Sequence, residues 1–116
     1  KYLRAKKIDA VEIDKDCLEN FNINLDLNNM KKEIFYHNCD VLKWKNFNYD
    51  IIVANINRNV ILDLIPIIGK TDATIIITGL LVEDRSIIYN KCTQYNIKIC
   101  NIHTKDEWMA MELRYE

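Results

Sequence analysis

Residues Tyr49 to Pro66 read "YDIIVANINRNVILDLIP". A largely apolar run stops at Ala54-Asn55-Ile56-Asn57, although asparagine is a poor strand former and is costly to bury without partners. Two readings follow. One is an Asx turn that caps the next helix. The other is an amide presented at the carboxyl end of a parallel strand, where open α/β sheets bind their ligands.

Outward from this stretch, helical and strand periods alternate. From Arg58, Val60, Ile61, Leu64, Ile65 and Ile68 fall on one helical face, followed by the turn Gly69-Lys70-Thr71-Asp72 and the central strand "ATIIITG". A helix from about Val82 to Tyr95 buries Ile87, Ile88 and Cys92. Upstream, "IDAVEI" (Ile8 to Ile13) is a short strand, and Asp14 or Asp16 caps a helix that buries Cys17, Leu18, Phe21 and Leu25. "NNMKKE" is a polar turn, "IFYH" a second strand, and "KWKNFN" a loop leading to "DIIVAN". Apolar runs such as Ile51 to Ala54 and Thr74 to Thr78 suit parallel strands covered on both faces. "IKICNIHT" and "WMAMELRY", with no helix between them, predict an antiparallel hairpin around Lys105-Asp106-Glu107. The pattern predicts an α/β, doubly wound, mostly parallel sheet ending in that hairpin.

A chain of 116 residues suits one domain that buries roughly two thirds of its unfolded surface. With 16 Lys+Arg against 17 Asp+Glu, no whole-chain charge argues for nucleic acid or an anionic membrane. Cys17, Cys39, Cys92 and Cys100 stand far apart with no C-x-x-C pair and only His37 and His103 beside them, so a metal site is not expected. They read as reduced core residues of a cytoplasmic protein. No apolar run approaches the ~20 residues of a membrane span. The start, "KYLRAKK", has no initiator Met and looks like the end of a helix entered midway, which suggests a fragment.

Polar side chains recur at three strand ends. Glu12, with Asp14 two residues on, is placed to accept ribose hydroxyl protons, or else Glu12 is solvated and Asp14 caps the helix. Asp40, in Asn38-Cys39-Asp40, either meets the exocyclic amine of a purine or sits in an ordinary turn. Asn55 supplies an amide after the third strand. Neither His37 nor His103 has an obvious carboxylate orienter, and no nucleophilic triad is suggested.

The series "VEID", "NCD", "YDIIVANI", "TIIITGLLVED" and "EWMAMEL" resembles class I S-adenosylmethionine-dependent methyltransferases, and specifically the ribosomal protein L-eleven methyltransferase (PrmA) family, from Ala5 onward. The resemblance implies a partial, Rossmann-like S-adenosylmethionine-binding domain over residues 1–116. It implies that Glu12, where the family usually has Asp, and Asp14 serve the cofactor ribose and that Asp40 serves its adenine edge. Asn55 would face the methionine part and the incoming amine, with Ile56 packed nearby. Gly79 would let the chain turn beside the substrate. Trp108 matches a last-strand Trp whose role is packing or substrate contact. The implied reaction moves a methyl group from S-adenosylmethionine to a lysine side chain or N-terminal amine of a ribosomal protein, with no direct nucleic-acid partner.

The family's first strand and its glycine-rich loop have no counterpart here, since Gly69 and Gly79 are the only glycines. Alone, the chain is therefore expected to be inactive. Two competing readings are a degenerate, non-catalytic α/β binding module and a nucleic-acid amino methyltransferase. The latter would need prolines and a base-stacking aromatic where Ile56-Asn57-Arg58 stand. A phosphoreceiver domain is disfavoured, because Asn55 replaces its acceptor Asp and Thr78-Gly79 replaces its Lys.

Overall fold

A computed structural model describes residues 4–30 and 33–116 of the chain. It divides into two compact units, Lys1–Trp44 and Lys45–Glu116.

In the first unit, strands β1 (Ile8–Glu12) and β2 (Ile34–Asn38) pair in parallel, with Ile8 opposite Ile34 and Glu12 opposite Asn38. Helix α1 (Cys17–Leu27) connects them. Only Leu25 of this helix is buried and Phe21 is half-buried against the Tyr36 ring at 4.8 Å, whereas Cys17 and Leu18 are exposed. The expected four-residue buried face is thus narrower, because a two-stranded sheet is too small to cover it. Neither expected aspartate cap forms: Asp16 is the N-cap without a side-chain hydrogen bond, and Asp14 Oδ1 accepts from the Asp16 backbone N–H at 2.9 Å. Residues 4–7 are not helical, and Arg4 has φ +61°, so the helical start is not found there. Lys1 to Leu3, and Lys31 and Lys32 of the polar turn, lie outside the described residues.

The second unit holds a four-stranded sheet in the order β3-β4-β6-β5. Strand β3 (Ile51–Asn55) crosses through α2 (Arg58–Ile68) to the parallel neighbour β4 (Thr74–Leu81). A 3-10 turn (Val82–Asp84) and α3 (Arg85–Gln94) lead to β5 (Ile97–Lys105), which turns back into β6 (Trp108–Tyr115). The hairpin is where the sequence places it, and β6 inserts antiparallel between β5 and β4.

Ile61, Leu64, Ile65 and Ile68 of α2 are buried with Ile75, Ile77 and Leu80 of β4 and Met109, Met111 and Leu113 of β6. From α3, Ile88 and Cys92 join them, but Ile87 is exposed because it lies one residue round the helix from Ile88. In β3 the expected cover on both faces is not met, since Ala54 is buried while Ile51 and Val53, on the opposite face, are exposed. The cysteines also depart from expectation. All four are free, yet only Cys92 is core; Cys17 is exposed, Cys39 is half-buried, and Cys100 is exposed in the β-bulge where Ile99 and Asn101 face consecutive β6 residues.

A second bulge, in β4, bears on the site. Ile77 pairs with Met111 and Leu80 with Met109, so two residues, Thr78 and Gly79, stand against one. The extra residue shifts the side-chain alternation and brings Leu80 to the buried face that Ile75 and Ile77 occupy. Gly79 has φ +71°, a conformation that costs other residues roughly 1–2 kcal/mol. With so few glycines, Asn29, Asn96 and Asp106 take other left-handed positions, two after helices and one in the hairpin turn.

Candidate active site

In the first unit the acids lie at the carboxyl ends of β1 and β2. Glu12 Oε1 accepts from the Asp14 backbone N–H at 2.9 Å, which folds the carboxylate over its own turn. That turn is held from the neighbouring strand. Asn38 Nδ2 donates to the carbonyls of Glu12 and Ile13 at 2.9 and 3.0 Å, Cys39 N–H donates to the Glu12 carbonyl at 3.1 Å, and the Tyr36 hydroxyl donates to the Asp14 carbonyl at 3.2 Å. Asn38 and Tyr36 thus support the turn, and neither belongs to a local motif. The only sequence signal was the position of Asn38 at a strand end beside Asp40.

Asp40 is the N-cap of a 3-10 turn (Val41–Lys43), with Oδ1 accepting from Leu42 N–H at 2.9 Å. One oxygen of Glu12 and one of Asp40 therefore serve local turns. Among the described residues no partner is bonded to Glu12 Oε2 or Asp40 Oδ2. Both thus keep an acceptor, the chemistry a ribose diol or a purine amine requires.

His37 does have a carboxylate orienter, contrary to the expectation from sequence. Its Nε2 lies 2.8 Å from Asp9 Oδ1, Lys7 Nζ approaches Asp9 Oδ2 at 3.1 Å, and its ring packs on Trp44 at 4.6 Å. Asp9 and His37 sit on different strands, 28 residues apart, which is why no local motif announces them.

In the second unit the opening question about the asparagines divides cleanly. Asn57 is the cap: its side chain accepts from Val60 N–H at 3.0 Å and starts α2. Asn55 is left exposed at the carboxyl end of β3, and among the described residues its side chain makes no hydrogen bond. It lies against Gly79 of the adjoining strand, so closely that a Cβ built on Gly79 would stand 2.6 Å from Asn55 Oδ1. The glycine therefore serves twice, by its left-handed backbone and by the bare face on which the amide rests.

Gly79 does not end its strand. β4 continues to Leu81, which pairs with Trp108 at the start of β6. Trp108 is 53% exposed, a large aromatic surface at the same end of the sheet. Half-buried Ile56 connects Asn55 to the cap. A cavity of about 380 Å³, lined in part by Lys45, Asn48, Lys70 and Asp72, lies at the amino ends of β3 and β4, away from Asn55.

Sequence reasoning missed one further feature of this rim. Asp84 is buried, with Oδ1 accepting from Arg58 Nη1 and Oδ2 from the Leu81 backbone N–H, both at 2.9 Å. The Leu81 N–H and the Arg58 guanidinium hold its carboxyl below the usual aspartate range. Among the described residues no group of His, Cys, Asp and Glu is arranged to hold a metal ion.

In each unit a helix joins two parallel strands, a Rossmann-like α/β arrangement. The solved structure of a ribosomal protein L11 methylase from Lactobacillus delbrueckii subsp. bulgaricus matches with a TM-score of 0.88 at 23% identity, covering 99% of this chain and 61% of that one. The particular family follows from sequence. Residues 1–116 match the model of the family "Ribosomal protein L11 methyltransferase (PrmA)", and the chain belongs to that family. Proteins named ribosomal protein L11 methyltransferase from Dictyoglomus turgidum and Ruminiclostridium cellulolyticum are 28% and 31% identical over 100% and 94% of this chain. The chain spans 39% and 36% of those two relatives' lengths.

Proposed function

We propose that this chain is part of a protein N-methyltransferase that uses S-adenosylmethionine and acts on amino groups of a ribosomal protein of the kind its relatives' names specify. One observation carries the reading most. The Asn55 amide, released from capping by Asn57, stands exposed at a strand's carboxyl end against a glycine.

S-adenosylmethionine, when bound, supplies a methyl group activated by a sulfonium, so the protein contributes positioning and exclusion of water. In this reading Glu12 and Asp14 serve the ribose and Asp40 the adenine edge. Asn55 and Ile56 border the methyl-bearing part, and Gly79 and Trp108 border the incoming peptide. An ammonium has no lone pair to attack with, so the acceptor reacts as a neutral amine. An acceptor oxygen at Asn55, from side chain or backbone, takes one amine N–H and aims the lone pair. The new N–C bond would form as the donor's methyl S–C bond breaks, its electron pair staying on sulfur, and the methylated ammonium would release a proton to solvent. The hydrogen-bonded His37 and Asp9 are assigned no step.

The test uses the gene product that carries this chain, S-adenosylmethionine and the ribosomal protein, with methylation read by mass spectrometry. Wild type adds methyl groups to amines. Asn55→Ala lowers kcat by roughly 10²-fold, the scale of a misplaced reactant, with a melting temperature close to wild type. Unchanged turnover removes Asn55 from the site, and failure to bind S-adenosylhomocysteine favours a non-catalytic module.

A further inference from the structure

The turn that leaves β3 and the turn that leaves β4 are tied by a single carboxylate. Arg58 is the first residue of α2, three positions after Asn55, and Asp84 closes the 3-10 turn that follows β4. The Asp84 side chain is 7% exposed, whereas that of Arg58 is 46% exposed and reaches the carboxylate from the solvent side. With one oxygen on Arg58 Nη1 and the other on Leu81 N–H, Asp84 grips the start of α2 and its own strand end at once. Val82 N–H in turn donates to the Glu107 carbonyl at 2.9 Å, anchoring the β4 turn to the hairpin.

A buried carboxylate is costly unless both oxygens are satisfied, and loss of one partner leaves an uncompensated charge. The two turns therefore keep a fixed spacing. Between these anchors lies the contact of Asn55 with the bare face of Gly79. A small slip of one turn against the other changes where the Asn55 amide points.

We propose that Asp84 and Arg58 are positioning residues that hold the Asn55 amide on Gly79 by locking the β3 and β4 turns together. The catalytic consequence rests on the role given to Asn55 above, whereas the structural consequence does not. Asp84→Asn preserves the shape and an acceptor for Leu81 N–H while removing the charge that Arg58 needs. Arg58→Gln alters the more exposed partner and keeps the test alive if Asp84→Asn folds poorly.

In the gene product that carries this chain, each substitution is expected to lower kcat about tenfold, within the range of coupled neighbours. KM for S-adenosylmethionine should stay within about twofold. In an Asn55→Ala background the same substitutions should cost little further, because the group they position is gone. Equal losses in both backgrounds would overturn the proposal. In ¹⁵N-resolved NMR spectra, the Asn55 side-chain amide and the Gly79 N–H should shift in both variants, with residues of β5 unmoved. Resonances that stay in place overturn the proposal even where wild type transfers no methyl group, an outcome that defeats only the assigned function.

Discussion

The two units hold polar strand ends by opposite means. In the first, Leu25 is the single buried apolar residue among those described, and Ile13, Leu27 and Phe35 are exposed. Its acid-bearing turn is fixed by hydrogen bonds from Asn38, Cys39 and Tyr36. The second places Asn55 and Gly79 at the rim of a sheet whose Ile75, Ile77, Leu80, Met111 and Leu113 are no more than 2% exposed. A core fixes a rim through many weak contacts that add up, whereas hydrogen bonds exchanged with water each contribute only about 1 kcal/mol. The second rim should therefore be the stiffer of the two.

Core truncation gives the largest expected break in that comparison. Leu80→Ala should cost roughly 3–5 kcal/mol by urea denaturation of the gene product, because it empties a fully enclosed site. Leu25→Ala, in a thin core, should cost about 1–2 kcal/mol, at or below the low end of such truncations. Equal losses would mean that the first unit is as well packed as the second.

Helix starts sharpen the contrast on a smaller scale. Asn57→Ala removes a side-chain cap and should cost about 1 kcal/mol, whereas Asp16→Ala, where no cap bond exists, should cost only a few tenths. A loss from Asp16→Ala that matched Asn57→Ala would show that α1 is capped in solution.

The smallest perturbation is thiol labelling near neutral pH. Burial pushes the Cys92 thiol up to about 11, so it is both enclosed and protonated. Exposed Cys100 and Cys17 should react before half-buried Cys39, with Cys92 labelled only as the second unit opens. Mass spectrometry of the labelled peptides orders them, and early modification of Cys92 would contradict the stiff second unit.

Much of this was legible in the sequence where a periodic signal was long. The 3.6-residue period of α2, the apolar run of β4 and the helix-free pair β5 and β6 each place their elements near the observed bounds. The signal was weak where elements were short or polar. In α1 the period was read as a wide buried face, although only Leu25 is enclosed and Phe21 partly so, since periodicity names a face but not what covers it.

By itself, then, the sequence determined the α/β order, the terminal hairpin and the family, because these follow from local period and from residues in series along the chain. Only the tertiary structure decided which asparagine caps and which is presented, that β6 enters between β4 and β5, and that His37 meets Asp9 while Asp84 meets Arg58. The physical reason is distance along the chain. Those partners are 28 and 26 residues apart, and contacts of that span arise from packing, which no local pattern encodes.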